Sequence, residues 1–162
     1  MTEQEMRLHS CCFTGHRPNK LTRAAREIQS DLEENIICAV NDGLSTFITG
    51  MAYGVDIWAG EIVVRLRKSN PNLSLIAAVP FPGFESHWSD EWKRSYNQLL
   101  IEADSVHFIC PSYKRYAFQR RNAWMVDHSS RVIAVYDGLA SGTKNTIDYA
   151  NRVGVPVVII NG

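Results

Sequence analysis

Three short glycine turns carry residue types that grip anions: Thr14-Gly15-His16-Arg17-Pro18, Thr49-Gly50-Met51-Ala52-Tyr53-Gly54-Val55-Asp56 and Ala140-Ser141-Gly142-Thr143. Glycine lets backbone N–H groups approach a bound oxyanion, and a helix that starts at such a turn adds the positive end of its dipole. Arg17, Arg120, Arg121 and Lys144 lie in or near these turns. A guanidinium holds phosphate through two parallel bonds, and Arg121 with Asn122 is the preferred pair. Asp56 suits a helix-capping carboxylate or an acceptor for a ribose hydroxyl. His16 suits a phosphate donor or a general acid, and His87 beside Trp88 suits a base. Each turn alone also has a purely steric reading, because tight strand-to-helix connections use glycine anyway; three together point to a phosphate site.

The absent motifs narrow the chemistry. There is no GxxxxGK[ST] loop, no GxGxxG spacing, no GxSxG elbow and no cysteine in an activating pattern, which disfavours an ATPase, an ordinary dehydrogenase and covalent catalysis. The five histidines are scattered without ligand spacing, so no metal site is expected. No catalytic residue is assigned and no cofactor is required. Trp88, Trp92, Tyr113, Tyr116, Phe118 and Trp124 can stack on a base, or close a core or a subunit interface.

These turns need a scaffold, and the chain alternates short apolar runs with amphipathic segments, the pattern of helices around a mostly parallel sheet. Strands are expected at Cys11 to Thr14, Leu44 to Thr49, Leu73 to Val79, Val106 to Cys110, Arg131 to Tyr136 and Pro156 to Ile160. The first helix carries Leu21, Ala25, Ile28, Leu32, Ile36 and Val40 at three- to four-residue spacing and stops at Asn41-Asp42-Gly43. Four more follow: Val55 to Leu66, one capped by Ser89, about Gln119 to His128, and Thr143 to Val153 with Gly154 as its stop. Between them PFPGFESHWSDEW reads as a lid or rim. The expectation is a six-stranded Rossmann-like α/β sheet with helices on both faces: a polar lead over 1–10 and one domain over 11–162.

At 162 residues with 45% apolar and 21% charged residues, disordered, collagen-like and coiled-coil classes fail on composition. Lys+Arg and Asp+Glu are both 17, so no global positive field collects nucleic acid, which is disfavoured as a partner on that ground. Cys11, Cys12, Cys38 and Cys110 lack paired spacing, and MTEQEMRLHS has no apolar signal core. Reduced thiols, a cytoplasmic location and no membrane partner are expected.

TGHRPNKL, ITGMAYGVDIWAGE and QRRNAWMVDHSSRVIAVYDGLASGTKNTIDYA together resemble the YpsA family of the SLOG superfamily, over about Cys11 to Ile160. The resemblance implies a Rossmann-like fold and a nucleotide or ADP-ribose-like ligand. It places Gly15, His16 and Arg17, then Gly50, Gly54 and Asp56, then Arg121 and Asn122, then Gly142 and Thr143 at the site. SLOG relatives commonly pair, so a homodimer or higher homo-oligomer is expected. In the LOG phosphoribohydrolases of the superfamily a PGGxGTxxE turn supplies a catalytic glutamate; here that position is Thr146. The implied function is therefore a stand-alone domain that senses or sequesters a phosphorylated nucleoside small molecule such as an ADP-ribose variant or a cyclic nucleotide, leaning away from an enzyme. An N-glycosidic or nucleotide hydrolase and a DprA-like nucleic-acid or protein adaptor are the alternatives.

Overall fold

The computed structural model describes residues 2–162. Its strands are β1 (Ser10–Gly15), β2 (Thr46–Thr49), β3 (Ser74–Val79), β4 (Ser105–Phe108), β5 (Arg131–Tyr136) and β6 (Val157–Asn161), and its helices are α1 (Glu3–Leu8), α2 (Ala25–Asn41), α3 (Val55–Arg67), α4 (Asp90–Glu102), α5 (Ala117–Asp127) and α6 (Gly142–Val153). The six strands form one sheet in the order β4-β3-β2-β1-β5-β6. All five pairings are parallel, where the sequence suggested a mostly parallel sheet.

Parallel strands need crossovers, and these place apolar helix faces on both sides of the sheet. One core gathers Ile28, Leu32 and Ile36 of α2, Ile57 and Val63 of α3, and Phe13, Phe47 and Leu75 from the strands. The other packs Met125 and Val126 of α5 and Ile147 and Ala150 of α6 on Cys12, Ile48, Ala78 and Ala134. No helix among the described residues is long and apolar enough to cross a membrane.

Helix ends follow local chemistry. Ser89 and Ser141 cap α4 and α6 by accepting from Trp92 N and Lys144 N, and Gly154 closes α6 at φ 83°. α2 begins at Ala25, because Pro18–Lys20 forms a 3-10 turn and Leu21 is extended. The lead over 1–10 contains a sixth helix: Thr2 and Glu5 make a capping box at the start of α1. The lead is also tied to the domain, since His9 O accepts from Ser45 N and Thr46 N, and Leu8 O from Ser130 Oγ. In the segment after β3, Phe84 packs edge-to-face on Trp88 and Trp88 on Tyr96 at centroid distances of 5.0 and 5.5 Å.

Candidate functional site

β2 lies on one side of β1 and β5 on the other, so the chain changes direction at the β1/β5 boundary. An open α/β sheet has its crevice at such a point, beyond the carboxyl ends of the strands. A cavity of about 270 Å³ occupies it. Its floor is Phe13, Thr14 and Gly15 at the end of β1, followed by His16, Arg17 and Lys20. Ala52 and Asp56 enter from the start of α3, Phe118, Arg121, Asn122 and Met125 from α5, and Ser141, Gly142 and Thr143 from the start of α6.

Asp56 and Arg121 are both buried. Arg121 Nη1 donates to Gly50 O, and Nε donates to Asn122 Oδ1 at 2.8 Å. Asp56 Oδ2 accepts from Ala52 N at 3.3 Å, while its buried Oδ1 has no hydrogen-bond partner among the described residues. Burial pushes the Asp56 carboxyl above its ordinary range, opposed first by the Arg121 charge, then by the Ala52 amide and Arg17. Burial likewise lowers the affinity of Arg121 for its proton, against the pull of Asp56. The attraction between the two offsets only part of what burial costs each.

Thr49 Oγ1 braces this turn by donating to Asp56 O at 2.7 Å and accepting from Met51 N at 3.3 Å. Met51 takes a left-handed φ of 63°, rare for a side chain of its size. Gly54, at φ 97°, leads into α3 with Pro18 against it. The first intrahelical backbone bond of α6 runs from Asn145 N to Ser141 O. The amides of Gly142 and Thr143 precede it and lie at the cavity, where they suit an anion. Thr14 Oγ1 donates to Thr143 Oγ1 at 3.5 Å and joins the two turns.

Eight of the ten residues singled out from sequence line the cavity: Gly15, His16, Arg17, Asp56, Arg121, Asn122, Gly142 and Thr143. Gly50 and Gly54 act behind it, one through its carbonyl and one through its backbone shape. Arg17 lies over the Tyr53 ring at 4.3 Å. Lys144 pairs with Asp148 at 2.6 Å and Arg120 stacks on Tyr116; neither lines the cavity, nor does His87. Glu61 faces a separate cleft with Trp58 and Arg65. Thr146 Oγ1 donates to Gly142 O at 3.0 Å, so the position of the hydrolase glutamate is spent on the helix itself.

Sequence reasoning passed over Lys20, which the TGHRPNKL stretch contained, and Asp137, which the QRRNAWMVDHSSRVIAVYDGLASGTKNTIDYA stretch contained. His16 Nε2 lies 2.7 Å from Asp137 Oδ1, off the line of an aligned hydrogen bond. The Leu139 amide, and then His16, hold the Asp137 carboxyl below its ordinary range.

An all-parallel Rossmann-like sheet with a cavity lined by glycine turns and arginines at its switch point defines the class. Residues 11–153 match the family model described as the YspA SLOG family (YpsA). The chain belongs to that family. It is 36% identical over 118 residues to an uncharacterized SPbeta prophage-derived protein, YoqJ, of Bacillus subtilis strain 168, covering 65% of this chain and 69% of that one. A UPF0398 protein of Bacillus pumilus is 26% identical over 157 residues, 91% of this chain and 84% of its own. Among solved structures, DNA processing protein A (DprA) of Streptococcus pneumoniae superposes with a TM-score of 0.67 at 19% identity, over 97% of this chain and 52% of that one. The Helicobacter pylori protein gives 0.65 at 19% identity, over 99% and 68%. The chain thus spans about half to two thirds of these two proteins, and the likeness is one of fold.

The expectation against nucleic acid does not stand. The H. pylori structure is described as giving insight into the single-stranded DNA binding mode of that protein. Net neutrality is the wrong criterion, because charge is distributed locally: Lys114, Arg115, Arg120 and Arg121 fall between Asp104 and Asp127 with no acidic residue among them.

Proposed function

We propose that the cavity binds the phosphate and sugar of a nucleotide-derived ligand and holds it without turnover, as a sensing or sequestering domain does. One observation carries this reading: the buried, unpartnered Oδ1 of Asp56 beside the buried guanidinium of Arg121, in a cavity that two helix starts enter. A buried carboxylate oxygen without a donor is costly, and a ligand hydroxyl satisfies it. A phosphate then sits between Arg17, Lys20 and the Gly142 and Thr143 amides. At about 270 Å³ the cavity falls near the lower end of small-molecule sites, roughly 300–1,000 Å³, so it encloses a ribose phosphate and leaves the base at the Phe118 rim. Thr146 supplies no acid for glycosidic cleavage, which favours an intact ligand.

The test is a thermal-shift panel of ADP, ADP-ribose, its cyclic isomers and nucleoside monophosphates on wild type and Arg121→Ala, followed by chromatography of each mixture. The reading expects stabilisation lost in the variant with the ligand recovered intact. Consumed ligand favours the hydrolase, and the absence of any shift removes the reading.

A second reading, single-stranded nucleic acid, is favoured by the rim itself. Tyr113, Tyr116 and Phe118 are exposed in the same stretch as the exposed cations Lys114, Arg115 and Arg120, and Arg120 stacks on Tyr116 at 4.3 Å. Aromatic faces among cations are the usual surface for unpaired bases. Internal nucleotides of DNA have no free sugar hydroxyl for Asp56, so the two readings separate at that residue.

A further inference from the structure

His16 lines the cavity at the end of β1 with only 3% of its side chain exposed. Its backbone is tied to the next strand, since His16 N donates to Val135 O at 3.3 Å, and the Tyr136 ring packs on the imidazole at a centroid distance of 5.6 Å. Asp137 does not line that cavity; it belongs to a separate surface hollow with Tyr136, Gly138 and Ile159. The carboxylate is itself held in place: Oδ1, the oxygen 2.7 Å from His16 Nε2, also accepts from Leu139 N at 2.9 Å. The two ring nitrogens of a histidine point to different sides. With Nε2 turned to Asp137, Nδ1 is the nitrogen left for the cavity.

We propose that Asp137 is a positioning residue: it sets His16 to meet the ligand's phosphate as an imidazolium, so that the site takes up a proton together with its anion. The inference rests on the nucleotide reading for its ligand, but its chemistry needs only an anion. In the neutral ring the proton sits on Nε2, beside the carboxylate. The second proton comes from solvent, adds to the Nδ1 lone pair and is donated to a phosphate oxygen in a charge-assisted bond. No bond of the ligand breaks. The charges around the ring couple this uptake to binding. Asp137 behind it and Asp56 in the cavity are opposite in sign to an imidazolium, while Arg17, Lys20 and Arg121 share its sign. Before a ligand binds, these three cations outnumber the two carboxylates, and a bound dianion reverses the balance in favour of the charged ring. A guanidinium holds an anion alike at every physiological pH, whereas a histidine makes the grip depend on pH.

The test is titration calorimetry of the full chain with ADP-ribose, whose diphosphate carries no proton that titrates near neutrality, so any proton taken up goes to the protein. Heats in two buffers of different ionisation enthalpy give the proton count, and on wild type this needs no variant. Wild type is expected to take up protons on binding and to lose affinity on the order of tenfold from about pH 6 to about pH 8. Asp137→Asn is expected to flatten that profile and Asp137→Glu to restore it. A flat profile in His16→Gln assigns the proton to the ring rather than to Asp56. Sulfate, a dianion throughout this range, separates the inference from the nucleotide reading: it is expected to raise the melting temperature of wild type more at about pH 6 than at about pH 8, and to do so equally at both in His16→Gln. That sulfate result without heat from ADP-ribose removes the nucleotide reading and sustains the proton uptake. ADP-ribose bound without proton uptake, a profile that Asp137→Asn leaves unchanged, or no pH-dependent response to either probe overturns the inference.

Discussion

Asp56 and Arg121, from helices on opposite faces of the sheet, meet over Gly50: a Cβ at that position would lie 2.8 Å from Asp56 Oδ2 and 3.0 Å from Arg121 Nη1. The glycine is there for space, and its carbonyl is the acceptor that fixes the guanidinium. Gly50→Ala therefore displaces both charged groups. The expected cost is about 1–3 kcal/mol in denaturant unfolding, together with loss of nucleotide-induced stabilisation. Unchanged stability and binding would show that the pair is not held through this contact.

The Asp56 carboxyl also makes the fold sensitive to pH. Burial raises its proton affinity in the folded state above the ordinary value, so the folded chain binds the proton more tightly than the unfolded chain does. Ionisation therefore costs stability above the raised folded value, and that cost is relieved as pH falls through it toward the ordinary carboxylate range. Asp56→Asn is expected to melt higher than wild type at neutral pH, with the gap closing as pH falls through that window. Melting curves of the two proteins across the mildly acidic range check this; a gap that does not narrow contradicts it.

The start of α6 contributes to the site and depends on one hydroxyl. Ser141 Oγ accepts from Lys144 N at 3.1 Å. Ser141→Ala is expected to cost about 1 kcal/mol, seen as a fall of roughly 2–4 °C in Tm for a chain of this size. If the helix start holds phosphate, the same change weakens nucleotide binding beyond what the stability loss explains.

The rim separates the two readings of the ligand. Tyr113 and Tyr116 are exposed, so Tyr113→Ala and Tyr116→Ala should leave melting unchanged. Under the single-strand reading each weakens oligonucleotide binding by about 1–3 kcal/mol, measured by fluorescence anisotropy at fixed salt. Under the mononucleotide reading binding of ADP is nearly unaffected.

The fold was legible because its signals are local and strong. Arg131–Tyr136 is a strand with the bounds its apolar run marks, and the capping residues Ser89 and Gly154 end helices where their chemistry puts them. The three glycine turns announced the cavity because parallel connectivity brings their ends together. Other features depend on distant contacts that no spacing encodes. Asp137 matters through His16, across the β1/β5 boundary. Arg121 stands out in the sequence as a phosphate-holding arginine, but its burial against the Gly50 carbonyl depends on the fold. The exposure of β4 follows from strand order, which an apolar run cannot reveal, and the binding of α1 to the domain arises from hydrogen bonds to residues far along the chain.

The central claim is that Asp56 takes a sugar hydroxyl beside a bound phosphate. Titration calorimetry of wild type and Asp56→Asn with ADP and with its 2′,3′-dideoxy analogue tests it most directly. Wild type is expected to prefer ADP by about 1–3 kcal/mol, the range for leaving a buried polar group unsatisfied, and Asp56→Asn to bind the two alike. Equal affinity of wild type for both nucleotides, or no heat with either, would contradict it.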